Sequence, residues 1–255
     1  MTETKDILIS AKNLKKEFSN GEVCQTIFEN LTLDIYKGDF TVIMGASGAG
    51  KSTLMYSLSG MDRPTEGHIV FSDEEITKYN DDELAIFRRK NCGFVFQQIY
   101  LLERMTLMDN VITAGVLCEK NKKIVMHRAK ELFELVNIPE ITQKKFFSQV
   151  SGGEAQRAGI VRAVINNPEV VFADEPTGAL NSNNSDAVLN VFTKLHNEGQ
   201  SIILVTHDKK TALRGNRIIY IKDGQIFGDC SMGNYIEEDK DREKKLDDFL
   251  TEMGW

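Results

Sequence analysis

The nine-residue stretch GASGAGKST, from Gly45 to Thr53, leaves a chain few folds to choose from. It fits the pattern G-x-x-x-x-G-K-[ST] and directly follows FTVIM (40–44), a continuous apolar run. Such a run reads as a strand buried on both faces. Strand, glycine-rich turn and helix, in that order, are the context the pattern requires. Gly48 and Gly50 let the backbone wrap closely around phosphates while successive amides point inward. Lys51 neutralises the β- and γ-phosphates, and the Ser52 hydroxyl is a ligand for Mg²⁺. Gly45, Ala46, Ser47, Gly48, Ala49, Gly50, Lys51, Ser52 and Thr53 are therefore read as a triphosphate-binding loop.

The rest of the chain supplies a sheet for that loop. DILISAKNL and LTLDIYKG alternate apolar and polar residues, as half-buried antiparallel strands do. GHIVFSDEEI reads as an edge hairpin. From about 98 to 165 strand signals fade, and Val125, Ala129, Leu132, Phe133 and Val136 fall at helical spacing, predicting an inserted all-helical subdomain. Strand-like runs resume with EVVFAD (169–174), SIILVTH (201–207) and RIIYIKDGQIF (217–227), the last split by an Asp223-Gly224 turn. Buried strands alternating with helices predict a parallel α/β sheet. Residues 1–234 are read as one domain and 235–255 as a C-terminal amphipathic helix. Its stripe of Leu246, Phe249, Leu250 and Met253 is expected to pack on its own domain, with docking of a partner as the alternative.

Bulk properties narrow the partners. The 255 residues carry a net charge of −7, which argues against a nucleic-acid partner. MTETKDILIS has no basic-then-apolar leader, and the apolar runs are too short to cross a bilayer, so a membrane role is expected only through a partner. Cys24, Cys92, Cys118 and Cys230 form no C-x-x-C pair, which fits reduced, structural thiols and no zinc site. His68, His127 and His196 likewise lack ligand-like spacing.

Further residues carry chemistry. In VSGGEAQRAGI (150–160), Ser151 and Glu154 form the S-x-x-E capping box at a helix start that also holds Gly152 and Gly153. Two readings stand side by side: a well-capped helix with a flexible entrance, or a bare helix N-terminus aimed at an anion. Asp174 ends the apolar run VVFAD, where it suits the Mg²⁺ shell. Glu175 follows and points elsewhere, placed to orient or deprotonate an attacking water, or else it belongs to a solvated acidic turn. His207 and Gln97 also end apolar runs, where parallel strands deliver ligand-binding side chains.

The order of these parts, a P-loop, FQQ, SGGE, DE, PTGALN and TH, resembles the ATP-binding subunit of ABC transporters over roughly residues 10–225. MGASGAGKSTL, GFVFQQ and FADEPTGAL are most similar to the branch holding MacB-like, LolD-like and bacitracin-resistance (BceA-like) ATPases. The short tail resembles that of the peptide-antibiotic resistance members. The resemblance implies a P-loop α/β fold with a RecA-like parallel-sheet core, an N-terminal antiparallel β subdomain and the inserted helical subdomain. It makes Lys51, Gln97, Glu175 and His207 catalytic, and Ser52, Gln97 and Asp174 the metal ligands. Ser151 to Gln156, with Gly152, Gly153 and Glu154, become the signature sequence. Phe18, placed ahead of the first apolar hairpin, becomes the aromatic that stacks on adenine.

ATP and Mg²⁺ are the implied ligands. The implied partners are an integral-membrane permease docking on about 97–150 and a second copy of the chain, joined head to tail. The two glycines of the signature are then read as keeping the two surfaces close. The location implied is the cytoplasm, at the inner face of the membrane through the permease, which would set the transported molecule. One departure from the family is Asn181, where aspartate is usual; it keeps a hydrogen-bonding carbonyl but loses the charge. The alternatives are a non-transport ABC ATPase and a regulatory ATP-binding switch. Repair types carry long coiled coils, ribosome-associated types carry two P-loops, and a small P-loop kinase leaves SGGE, Glu175 and His207 unexplained.

Overall fold

The computed structural model describes residues 5–19, 21 and 23–255, so Met1–Thr4 of the N-terminal stretch read for a leader lie outside the described residues. In chain order, β1 (Ile7–Ser19) and β2 (Cys24–Tyr36) precede β3 (Phe40–Met44), α1 (Lys51–Leu58), β4 (Glu66–Phe71), β5 (Glu74–Glu75) and α2 (Asp81–Asn91). Next come β6 (Cys92–Phe96), α3 (Leu107–Gly115), α4 (Lys122–Leu135), α5 (Glu140–Gln143) and α6 (Gly152–Val164). The chain continues with β7 (Val170–Asp174), α7 (Ser182–Asn197), β8 (Ser201–Val205) and α8 (Lys209–Ala212). It closes with β9 (Arg217–Lys222), β10 (Gln225–Ser231) and α9 (Lys240–Glu252). The chain divides into two compact units, 1–85 with 201–255, and 86–200, the boundary falling within α2.

In the first unit, an antiparallel sheet of order β2-β1-β4-β5 realises the alternation seen in the sequence, with Ile9, Leu14 and Ile35 fully buried. β3 is the parallel centre of the other strands, flanked by β8 and β9, and every one of its residues is buried. That double burial is why FTVIM contains no alternation. β10 pairs antiparallel with β9 through Asp223 (φ 50°) and Gly224 (φ 73°), the left-handed turn pair that suits strand twist. α1 is shorter than STLMYSLSGM suggests: it ends at Leu58, and Gly60 turns left-handed (φ 66°) two residues on.

The tail belongs to this unit. Leu246 and Leu250 of α9 are each only 1% exposed. A Cβ on Gly228 of β10 would lie 2.4 Å from Met253 Sδ and 2.8 Å from Phe249 Cε2, so that strand has to be bare for α9 to seat. Trp255 meets Tyr220 edge-on at 6.1 Å. The stripe therefore covers the chain's own strands.

In the second unit, β6 and β7 run parallel, in register from Cys92 opposite Val170 to Phe96 opposite Asp174. α6 is the hub, packing on β6, α3, α4 and α7. Phe94 stacks on Phe172 at 5.6 Å. α4 buries Val125, Ala129, Leu132 and Phe133, the helical stripe read from the sequence. Thr106 and Asn121 cap α3 and α4 by accepting from the Asp109 and Lys123 amides. α2 escaped the reading because it is mostly charged. It opens with Asp81, Asp82 and Glu83 and closes with Arg88, Arg89 and Lys90, an order that complements the helix dipole.

Candidate nucleotide site

The first unit holds the phosphate loop. β3 delivers Gly45 one residue past Met44, which pairs with Tyr220 of β9. Gly45 is pressed against that strand: a Cβ there would sit 2.1 Å from the Ile221 carbonyl oxygen. Gly48 (φ 81°) and Gly50 (φ 91°) take left-handed conformations that favour glycine. Gly48 faces open space, whereas a Cβ on Gly50 would meet Ile27 of β2 at 2.9 Å. The three glycines thus serve different ends, and the close approach at Gly45 has no signal in the local pattern. Lys51 opens α1, is 8% exposed, and donates from Nζ to the Gly45 (2.9 Å) and Ala46 (2.8 Å) carbonyls. These bonds fold the ammonium back over the loop, while Ala46, Ser47 and Gly48 stay exposed. Ser52 and Thr53 are half-buried in the first turn of α1.

His207 and Phe18 lie in the same unit. Ile43 pairs with Val205 across β3 and β8, so His207, two residues past Val205, falls level with Gly45. It is exposed at the carboxyl end of the sheet. Phe18 requires a correction: it is not ahead of the hairpin but within it, on β1 and paired with Gln25 of β2. The strand runs on to Ser19 because β2 continues opposite it. The ring is 49% exposed, with Lys16 Nζ 4.8 Å from its centroid. Lys16 is held in turn by Asp62 Oδ1 and the Arg63 carbonyl, both at 2.7 Å. One face of Phe18 thus carries a fixed cation, a contact of the cation–π kind.

The second unit gathers Gln97, Asp174 and Glu175. Because Phe96 pairs with Asp174, Gln97 and Glu175 stand level, each one residue past its strand. Glu175 has φ 45°, a left-handed conformation that costs a non-glycine residue about 1 kcal/mol or more. The turn re-aims the chain immediately after Asp174. Gly178, whose amide donates to the Glu175 carbonyl at 3.0 Å, leaves room for Gln97: a Cβ there would lie 2.9 Å from Gln97 Nε2. Gln156 of α6 donates to the Phe96 carbonyl at 3.0 Å and so fixes the residue before Gln97. Neither the role of Gly178 nor this bond has a signal in the local sequence pattern.

α6 starts as a capping box. The Glu154 carboxylate accepts from the Ser151 amide and hydroxyl, both at 2.8 Å, and the Glu154 amide donates to Ser151 Oγ at 3.3 Å. Those bonds from the Ser151 backbone, then its hydroxyl, hold the Glu154 pKa below the ordinary value. Gly152 is exposed, but Gly153 is buried against the chain's own α7. A Cβ on Gly153 would lie 2.6 Å from Asn184 Oδ1 and 2.9 Å from Asn184 Cβ. The expectation that both glycines keep an opposing surface close is therefore corrected at Gly153, which is bare to admit Asn184. Asn181 caps α7 by accepting from the Asn184 amide at 3.0 Å, so its carbonyl does the work available to an aspartate oxygen.

The family model for ABC transporters matches residues 28–178. The chain is 40% identical over 219 residues to an ABC transporter ATP-binding protein of Methanocaldococcus jannaschii, covering 86% of this chain and 97% of that protein. This chain belongs to the ABC transporter ATP-binding family. It is an ATP-binding α/β ATPase cassette of that family. It is also 40% identical over 222 residues to the macrolide export ATP-binding/permease protein MacB of Mannheimia succiniciproducens, covering 87% of this chain but only 34% of that larger protein. The cassette MJ0796, solved as a dimer bound to ADP and Pi after hydrolysis, superposes with a TM-score of 0.80 at 34% identity, over 89% of this chain and all of that one.

Among the described residues no group of three His, Cys, Asp or Glu side chains is arranged to hold a metal ion. Mg²⁺ takes one or two protein ligands and completes its shell with phosphate oxygens and water, and the hydroxyl of Ser52 and the carboxylate of Asp174 are oxygen donors of that kind. Cys92 is buried, which pushes its thiol pKa up and keeps it inert. Cys24 and Cys118 are exposed free thiols rather than core residues.

Proposed function

We propose that this cassette hydrolyses ATP with Lys51, Asp174, Glu175, Gln97 and His207 in the roles their positions suit, and drives a membrane permease by dimerising on ATP. The observation that carries this reading is Lys51, held over a loop of left-handed glycines by two of that loop's carbonyls. There it is preorganised to exchange carbonyl oxygens for phosphate oxygens. The Gly45–Gly50 amides bind phosphate, and Phe18 stacks on adenine with Lys16 beneath it. Ser52, Gln97 and Asp174 would hold Mg²⁺, and the metal when bound neutralises phosphate charge. Glu175 orients and deprotonates the attacking water. His207 donates a hydrogen bond to the γ-phosphate.

The capped start of α6, with Ser151 and Gly152 exposed, binds the γ-phosphate of a second copy. Hydrolysis removes the shared charge and releases the pair. The dimer reported for MJ0796 supports this arrangement. MacB, named as joining an ATP-binding part to a permease, supports a membrane partner docking on about 97–150 and a place at the inner face of the cell membrane. No described helix is long and apolar enough to cross a membrane. Export, of the kind found in antimicrobial-peptide resistance, is the transport we infer. A neighbouring gene for a multi-span protein with a large extracellular domain would support it, and the lack of one would favour the non-transport alternative.

The test is Glu175→Gln. It is expected to keep ATP binding, slow hydrolysis strongly and accumulate a dimer on a sizing column. Turnover equal to wild type would remove Glu175 from its role.

A further inference from the structure

An apolar stripe accounts for Leu246, Leu250 and Met253, but Arg242 of α9 is also buried, at 4% exposed. A buried guanidinium is costly unless its donors are satisfied. Here every donating nitrogen goes to backbone. Nε donates to the Leu213 carbonyl at 2.7 Å and Nη2 to that of Gly215. Nη1 donates to the Met232, Gly233 and Asn234 carbonyls at 2.9, 3.0 and 3.2 Å. The rigid fork of arginine suits such convergent carbonyls better than the point charge of lysine.

Leu213 and Gly215 end the strap that runs from β8 to β9, and His207 sits at its start. The near end of the strap holds itself. The Asp208 amide donates to Thr206 Oγ1 at 3.0 Å, and the Asp208 carboxylate accepts from the Thr211 amide and hydroxyl at 2.7 Å each. The tail adds a hold close to His207: Lys209 Nζ, two residues past it, pairs with Asp247 of α9 at 2.6 Å. α9 in turn is seated on β10 over the bare Gly228.

We infer that α9 is a clamp for His207, with Arg242 and Asp247 as positioning residues that hold the strap where the imidazole can meet the γ-phosphate. This rests on the role of His207 proposed above. The clamp touches none of the phosphate-loop bonds, so loosening it spares ATP binding and slows the hydrolytic step. Displacing a reacting group by about 1 Å lowers a rate up to about a hundredfold.

The test uses the full chain, with steady-state hydrolysis for kcat and KM and a fluorescent ATP analogue for equilibrium binding. Arg242→Gln is expected to lower kcat about tenfold with nucleotide affinity within about twofold of wild type, and Arg242→Lys to recover part of the loss. Lys209→Asp and Asp247→Lys, which reverse an exposed pair, are expected to lower kcat about two- to threefold each, and the double reversal to restore it. A wild-type kcat in Arg242→Gln, affinity lost in step with kcat, or a double reversal that restores nothing would overturn the clamp. Should Arg242→Gln fail to fold, the exposed pair decides the matter on its own. His207→Ala at full rate sinks the role of His207 itself. A slow His207→Ala beside full rates in all the clamp variants sinks the clamp alone.

Discussion

Gly45→Ala and Gly48→Ala replace two glycines of the same motif by the same residue, yet the structure separates them. At Gly48 (φ 81°) nothing lies within 4 Å of the new Cβ, so the cost is the left-handed backbone alone, about 1–2 kcal/mol. At Gly45 the new Cβ would sit 2.1 Å from the Ile221 carbonyl oxygen. Ordinary contact between such atoms begins near 3.3 Å, so loop and β9 must part by about 1 Å. β9 cannot yield freely, because four of its residues are in register with β3. Overpacking of this kind costs about 1–3 kcal/mol, occasionally more, and the displacement falls on the loop that positions Lys51. Urea denaturation is expected to show Gly45→Ala less stable than Gly48→Ala by about 1–2 kcal/mol. Titration with a fluorescent ATP analogue should show at least about tenfold weaker binding in Gly45→Ala, and a smaller loss in Gly48→Ala. Equal effects, or a worse Gly48→Ala, would refute the steric reasoning.

Gly178→Ala meets only the far end of the Gln97 side chain, so hydrolysis is expected to fall while the melting temperature stays within about 2 °C of wild type; an unchanged rate would show that the seat of Gln97 is immaterial. Gly153→Ala collides with Asn184, and Asn184→Ala removes two of its three short contacts. The pair should therefore be non-additive by about 1 kcal/mol in a double-mutant denaturation cycle, and additivity would contradict the packing. The Glu154 pKa is depressed below 4.5, so its cap contributes fully above that value and is lost as pH falls through the lower, folded one. Stability against urea below pH 4.5 should fall more steeply in wild type than in Glu154→Gln, by a few tenths of a kcal/mol because the group is largely solvated. Parallel pH profiles would show that the bond from Ser151 is not formed in solution.

What could be read in advance was whatever a short window contains. A five-residue apolar run ahead of a glycine-rich turn specifies β3 and its loop, and Ser151 with Glu154 specifies the cap of α6, because both rest on neighbours in sequence. The closing of Gly45 on Ile221, Gly153 on Asn184, and Arg242 on Leu213 joins residues far apart in the chain, and nothing in the local pattern marks it. Gly153 shows the hazard: motif order points its bareness at a surface outside the chain, whereas within the chain it meets Asn184 of α7. Motif order puts Phe18 ahead of the hairpin, whereas its position is set by how far β2 extends opposite β1. α2 carries no periodic signal, since its helicity rests on charge order and two buried side chains, Leu84 and Phe87, rather than on a full stripe.

In the proposed dimer, ATP gripped by Lys51 in one copy is completed by the capped helix of another. A structure of Glu175→Gln grown with ATP and Mg²⁺ tests it most directly. The expected result is a head-to-tail pair in which Ser151 and Gly152 of each copy contact the γ-phosphate bound by the other. Both helix starts facing solvent, with ATP fully enclosed by a single copy, would contradict it.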